Sequence, residues 1–97
     1  MYIGRAVFRL MGWPAPLIFP YASKKFIKLI RSIEGVEDAI ISTSYKAREV
    51  TVVMASELST TDLALIDFAR ISVEARRLFL SQVRGKGFSV TDLAIVK

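Results

Sequence analysis

The sequence predicts an α+β domain in which strand, helix, strand, strand, helix and strand follow one another, folded as a four-stranded antiparallel sheet with both helices on one face. Three observations predict it. Residues 23–35, SKKFIKLIRSIEG, carry apolar side chains at three-and-four spacing. The run REVTVVMA is β-branched and alternating. A second, longer helical stripe comes after ELSTTD. Each helix has one apolar side that needs a sheet to cover, and the strands around it can supply one.

The first strand is expected from Tyr2 to Leu10, because Arg5, Val7 and Arg9 alternate with Ala6, Phe8 and Leu10. Ile3 is assigned to the inward set, with the phase irregular near Gly4. The next segment, GWPAPLIFPY, holds Pro14, Pro16 and Pro20 and no charge. Each proline fixes its own φ and pushes the preceding residue toward extended backbone, so an irregular or polyproline-like connection is expected. Its Trp13, Leu17, Phe19 and Tyr21 are candidates for protein contact. The alternative is that they cap an open end of the core.

The first helix is expected to start at a Ser23 N-cap and to end at Gly35, which takes left-handed backbone without a Cβ penalty. Phe26, Leu29, Ile30 and Ile33 form its inward stripe. Lys24 and Lys25 would then fall in the first turn, against the helix dipole. Strands are expected at 36–44 and 48–55, joined by a loop of four or five residues around Tyr45, Lys46 and Ala47. In the second of these, Val50, Val52 and Met54 share one face, and Thr51 and Val53 the other.

The second helix is expected from about Thr60 to about Val83, capped by Ser59 or Thr60 with Asp62 in its first turn. Its stripe is Ala64, Phe68, Ile71, Ala75, Leu78, Phe79 and Val83, and the weak helix formers at 71–73 allow a bend. Gly85-Lys86-Gly87 breaks the helix. The last strand carries Phe88, Val90, Leu93 and Ile95, with a bulge expected at Thr91-Asp92. The uncovered sheet face would present Arg5, Val7, Arg9, Thr51 and Val53, apolar enough to suit stacking or sheet extension in a homo-oligomer.

Ninety-seven residues with 53% apolar content suit one domain spanning 1–97. The chain has no cysteine, histidine or asparagine, and one glutamine, Gln82. Disulfides, thiolate chemistry and imidazole bases are therefore excluded, and neither an enzyme, a metal site nor a cofactor is expected. Glu34, Glu37 and Asp38 read as an acidic turn, and Met1, Met11 and Met54 are too scattered for a copper site. The uncharged stretch from Leu10 to Ser23 is fourteen residues long and broken by proline, too short to span a bilayer. With no leader pattern, a cytoplasmic location is expected.

A formal charge of +5 mildly favours anionic partners. Lys24, Lys25, Lys28 and Arg31 lie along one helix, and Arg76 and Arg77 belong to a second basic group with Arg70 and Arg84. These are the anion or nucleic-acid candidates, weighed against an ordinary solvated face.

From Ile18 to Met54 the chain resembles the heavy-metal-associated domains of the ferredoxin-like βαββαβ fold. The resemblance rests on a loop, a helix with Ile27 and Leu29, the reversal Glu34-Gly35-Val36, and the VTVVM strand. It implies the ferredoxin-like fold. Metal-binding members carry two cysteines just before the helix, where this chain has Ile18-Phe19-Pro20-Tyr21, so the resemblance implies no copper or zinc chaperone role. The acylphosphatase chemistry of the same topology needs an asparagine that is missing, and RNA-recognition domains need strand aromatics where this chain offers only Phe8. The expected function is a non-enzymatic protein-interaction or self-associating module, contacting a protein partner or its own copy through the proline-aromatic loop. Nucleic-acid binding through the basic helix faces is the alternative.

Overall fold

The computed structural model describes residues 1–11, 19–36, 38–82 and 87–96. The elements are β1 (Tyr2–Met11), α1 (Phe19–Arg31), β2 (Ile40–Ser44), β3 (Glu49–Ser56), α2 (Thr61–Gln82) and β4 (Gly87–Ile95). The four strands form one antiparallel sheet in the order β2-β3-β1-β4, the ferredoxin-like arrangement. β1 and β3 lie at the centre and β2 and β4 at the edges.

Alternation places Ala6, Phe8 and Leu10 of β1 and Val50, Val52 and Met54 of β3 on the covered face, all buried. Against them pack Phe26 and Ile30 of α1 and Phe68, Ile71, Ala75 and Phe79 of α2, so both helices share one face and one core. Phe26 is the hub of an aromatic cluster, with ring centroids 5.4 Å from Phe8, 5.7 Å from Phe79 and 5.2 Å from Phe88. The tilted and edge-on ring orientations are those the aromatic quadrupole favours. The sequence phase of β1 needs one correction. Gly4, not Ile3, faces the helices, because the Phe68 ring occupies the space a side chain would need.

The start of α1 differs from expectation. The helix begins at Phe19, so Pro20 lies in its first turn, where a missing N–H leaves no helical bond unmade. Ser23 is therefore buried inside the helix, its Oγ donating to the Pro20 carbonyl at 3.1 Å, and is not an N-cap. Lys24 and Lys25 fall past the first turn, while Lys28 and Arg31 occupy the last, where positive charge suits the dipole. The C-terminus tightens into i→i+3 bonds from Ser32 to Leu29 and from Ile33 to Ile30, at 3.1 Å each. Gly35 then adopts φ 97°, the left-handed conformation expected of it.

Val36 does not begin β2, because the Ala39 N–H turns back to the Val36 carbonyl at 3.1 Å and the strand starts at Ile40. The β2–β3 loop is the four residues Tyr45 to Arg48. Thr60 is the N-cap of α2, its Oγ1 accepting the Leu63 N–H at 3.2 Å. The helix runs unbroken through 71–73, where buried Ser72 satisfies its hydroxyl on the Phe68 carbonyl at 3.3 Å. Packing of Ile71 into the core outweighs the weak local propensity. Val83 lies outside the described residues. In β4 the register against β1 shifts between Val7 and Phe8, which makes Thr91 the extra residue of a bulge.

Candidate interaction surfaces

Of the proline-aromatic contacts, Trp13, Leu17 and the Phe19 side chain lie outside the described residues. Tyr21 stands on α1 at 77% exposure, so its ring takes little part in the core. The α1 cations are exposed, and Lys25 and Lys28 flank a shallow groove with Leu29 and Ser32. Arg31 reaches across the turn, donating from Nη1 to the Ala39 carbonyl at 3.1 Å. Since α1 starts at Phe19, Lys24 and Lys25 lie past its first turn, away from its free N–H groups.

The arginines of α2 are engaged locally. The Arg76 guanidinium lies 5.1 Å from the Phe88 ring centroid, a cation–π contact over the end of the core. Arg77 grips Glu74 through two guanidinium nitrogens. The Arg77 hydrogen bond holds the Glu74 carboxyl below its usual range, and the same bond raises Arg77. Arg70 bonds Asp67 at 3.2 Å and the Glu34 carbonyl at 3.3 Å, linking α2 to the turn after α1.

The uncovered sheet face carries Arg5, Val7, Arg9, Thr51 and Val53, as alternation requires. Arg5 is fastened to Asp92 Oδ2 through Nε and Nη2, at 3.0 and 2.7 Å. At one end of the face Ile3, Ile40, Val53 and Ala55 border a hollow of about 370 Å³. At the other end Arg9, Lys46 and Arg48 surround a more polar one.

The surface that sequence reasoning missed is on α2. Besides its buried stripe, the helix carries Leu65, Ile66, Ala69 and Val73 on a flank beside β4, with Leu93 across a shallow apolar groove. Ile66 is 64% and Val73 69% exposed. The signal was present as Leu65, Ala69 and Val73 at i, i+4 and i+8, a second row offset from the core row. β4, the strand next to this row, is an edge strand of nine residues.

Among the described residues, no three of Asp and Glu come together in a group able to hold a metal ion. No helix among them is long and apolar enough to cross a membrane. Comparison with protein-family models, with curated proteins and with solved structures returns no match.

Proposed function

We propose that the protein is a non-enzymatic self-associating module whose partner is a second copy of the chain, docked along α2 and the outer edge of β4. The observation that carries this reading is the apolar row of exposed Leu65, Ile66 and Val73 around half-buried Ala69, beside an edge strand. Association would remove that row from water and pair the open backbone groups of β4. A chain without cysteine, histidine or asparagine lacks the usual means of catalysis, which suits a binding role.

The row is complementary to itself. Leu65 and Val73 lie four residues either side of Ala69, and Asp62 and Arg76 seven residues either side. A two-fold axis at Ala69 would set α2 antiparallel to its copy, Leu65 against the second copy's Val73 and Asp62 against the second copy's Arg76. The small Ala69 side chain lets the helices approach closely. The same axis turns the two β4 edges antiparallel, so the sheet can continue from one copy into the other.

Light scattering after size exclusion tests the reading. The expected result is a dimer that persists at high salt, becomes monomeric in Ala69→Arg, and weakens in Asp62→Arg or Arg76→Asp. Combining the two charge reversals should restore it. Trp13→Ala and Phe19→Ala should leave the dimer intact. A monomer at high micromolar concentration that shifts only with nucleic acid at low salt would overturn the reading in favour of the basic helix faces.

A further inference from the structure

At the end of the sheet away from Ile3, the β2–β3 loop and the ends of β1 and β4 border an open hollow of about 600 Å³. Its lining includes Arg9, Lys46, Arg48, Ser89 and Thr91. Arg9 comes from β1 and Ser89 pairs with it across the ladder, so the strand register fixes both on the same face. Lys46 and Arg48 come from the loop, and the Arg48 carbonyl is tied to the Leu10 N–H at 2.9 Å, which anchors the loop over the strand ends.

Two features set this place apart from an ordinary basic surface. The first is electrostatic. Among the described residues the Arg9, Lys46 and Arg48 side chains make no ion pair or hydrogen bond, whereas Arg5, Arg70 and Arg77 each hold a carboxylate. Glu49, paired with Arg9 in the ladder, instead accepts the Thr91 hydroxyl at 3.1 Å. The Glu49 carboxylate, opposite Arg9 and bonded to Thr91 at the rim, offsets part of the charge of the three cations, and the positive charge that remains favours entry of an anion. The second feature is the backbone. Arg48 has φ 55°, left-handed conformation that glycine adopts freely and a residue with a Cβ adopts at a cost. The loop thus carries an arginine where its own folding favours glycine, an arrangement that suits a side chain used for binding.

We propose that this hollow binds a phosphoryl group. Two guanidinium forks, an ammonium and the Ser89 hydroxyl offer more donors than the two oxygens of a carboxylate can accept, and they match a tetrahedral dianion with three or four oxygens. An extended nucleic-acid backbone fits less well. The next cation along β1, Arg5, is already committed to Asp92, so among the described residues the basic track does not continue along that strand. The proposal stands independently of self-association.

The test uses the whole chain, with inorganic phosphate, phenyl phosphate and chloride compared at equal ionic strength. Phosphate or phenyl phosphate should raise the thermal midpoint above that in chloride and shift the amide resonances of Arg9, Arg48 and Ser89. Phenyl phosphate acting more strongly than phosphate identifies a phosphate ester as the ligand class, and the reverse identifies the free ion. Arg9→Ala should weaken binding at least tenfold with the fold unchanged. Arg48→Gly should raise the midpoint in chloride, since the backbone cost disappears, and lose the phosphate-dependent rise. The proposal is overturned if neither phosphate acts beyond chloride, or if Arg48→Gly keeps the full response. It is equally overturned if a single-stranded oligonucleotide binds with a salt slope of many released ions, which would make the hollow part of a longer track.

Discussion

The Phe68 ring lies directly over Gly4: a Cβ built on the glycine would come within 2.2 Å of Phe68 Cε2 and 2.4 Å of Cδ2. Helix α2 therefore approaches β1 closely only because the strand has no side chain at that point. Gly4→Ala would push the ring off a position in which it is fully buried. A loss of about 1–3 kcal/mol is expected, as for overpacking generally, read from urea unfolding midpoints. An unchanged midpoint would show that α2 can lift from the sheet without penalty.

Two adjacent hydroxyls before α2 are distinguished by geometry. Thr60 caps the helix through Leu63, so Thr60→Ala should cost about 1 kcal/mol. Ser59 is exposed and makes no such bond among the described residues, and Ser59→Ala should fall within about 0.5 kcal/mol of the parent. Equal losses in the two variants would move the cap.

Helix α1 carries two aromatic residues of opposite standing. Phe26 is the fully buried hub of the ring cluster, and Phe26→Ala should remove about 3–5 kcal/mol. Tyr21, at 77% exposure, should be replaceable by alanine within about 0.5 kcal/mol. Thermal and chemical unfolding of both variants checks the contrast.

The Glu74 carboxyl is held below its usual range by the Arg77 hydrogen bond. A carboxyl depressed in the folded state adds stability above its unfolded pKa, and that contribution is lost as pH falls through the lower folded value. Both groups are exposed, so the effect on stability is small. The sharper measurement is a carboxyl-carbon NMR titration, in which Arg77→Ala should raise the Glu74 midpoint toward that of a free glutamate. An unmoved midpoint would show that the pair does not persist in solution.

Periodicity made the fold legible where one pattern ruled. The alternation of Val50, Val52 and Met54 and the row Ala64, Phe68, Ile71, Ala75 and Phe79 both end in the core, and even the bulge was marked by the interruption at Thr91-Asp92. The first turn of α1 was not legible, because proline both breaks helices and begins them, and its position relative to the helix decides which. The inward position of Gly4 was hidden for a different reason. A glycine has no hydropathy to show which way it points, and Ile3 beside it does.

The candidate surfaces were less legible. In the pattern of α2 the outer row Leu65, Ala69 and Val73 merges with the core row into one broad apolar arc, and only the position of β4 tells the rows apart. The polar hollow was invisible for want of spacing: Arg9 and Arg48 are far apart in sequence and meet because β1 and β3 are neighbours in the sheet. Charge runs along α1 were conspicuous by comparison, yet a run on one helix says nothing about which cations stand around a concavity.

The bulge at Thr91 also bears on how the length of β4 can change. Phe88 and Val90 before it, and Leu93 and Ile95 after it, all lie on the helix side of the sheet, and they do so only because one residue between them is uncounted by the ladder. Removing Thr91 would leave a strand of regular alternation with every inward residue still inward. Removing Ala94 instead would send Ile95 to the wrong face. The strand thus has one site at which a codon can be deleted without loss of phase, at the expense of the hydroxyl that reaches Glu49 and the carbonyl of Val7.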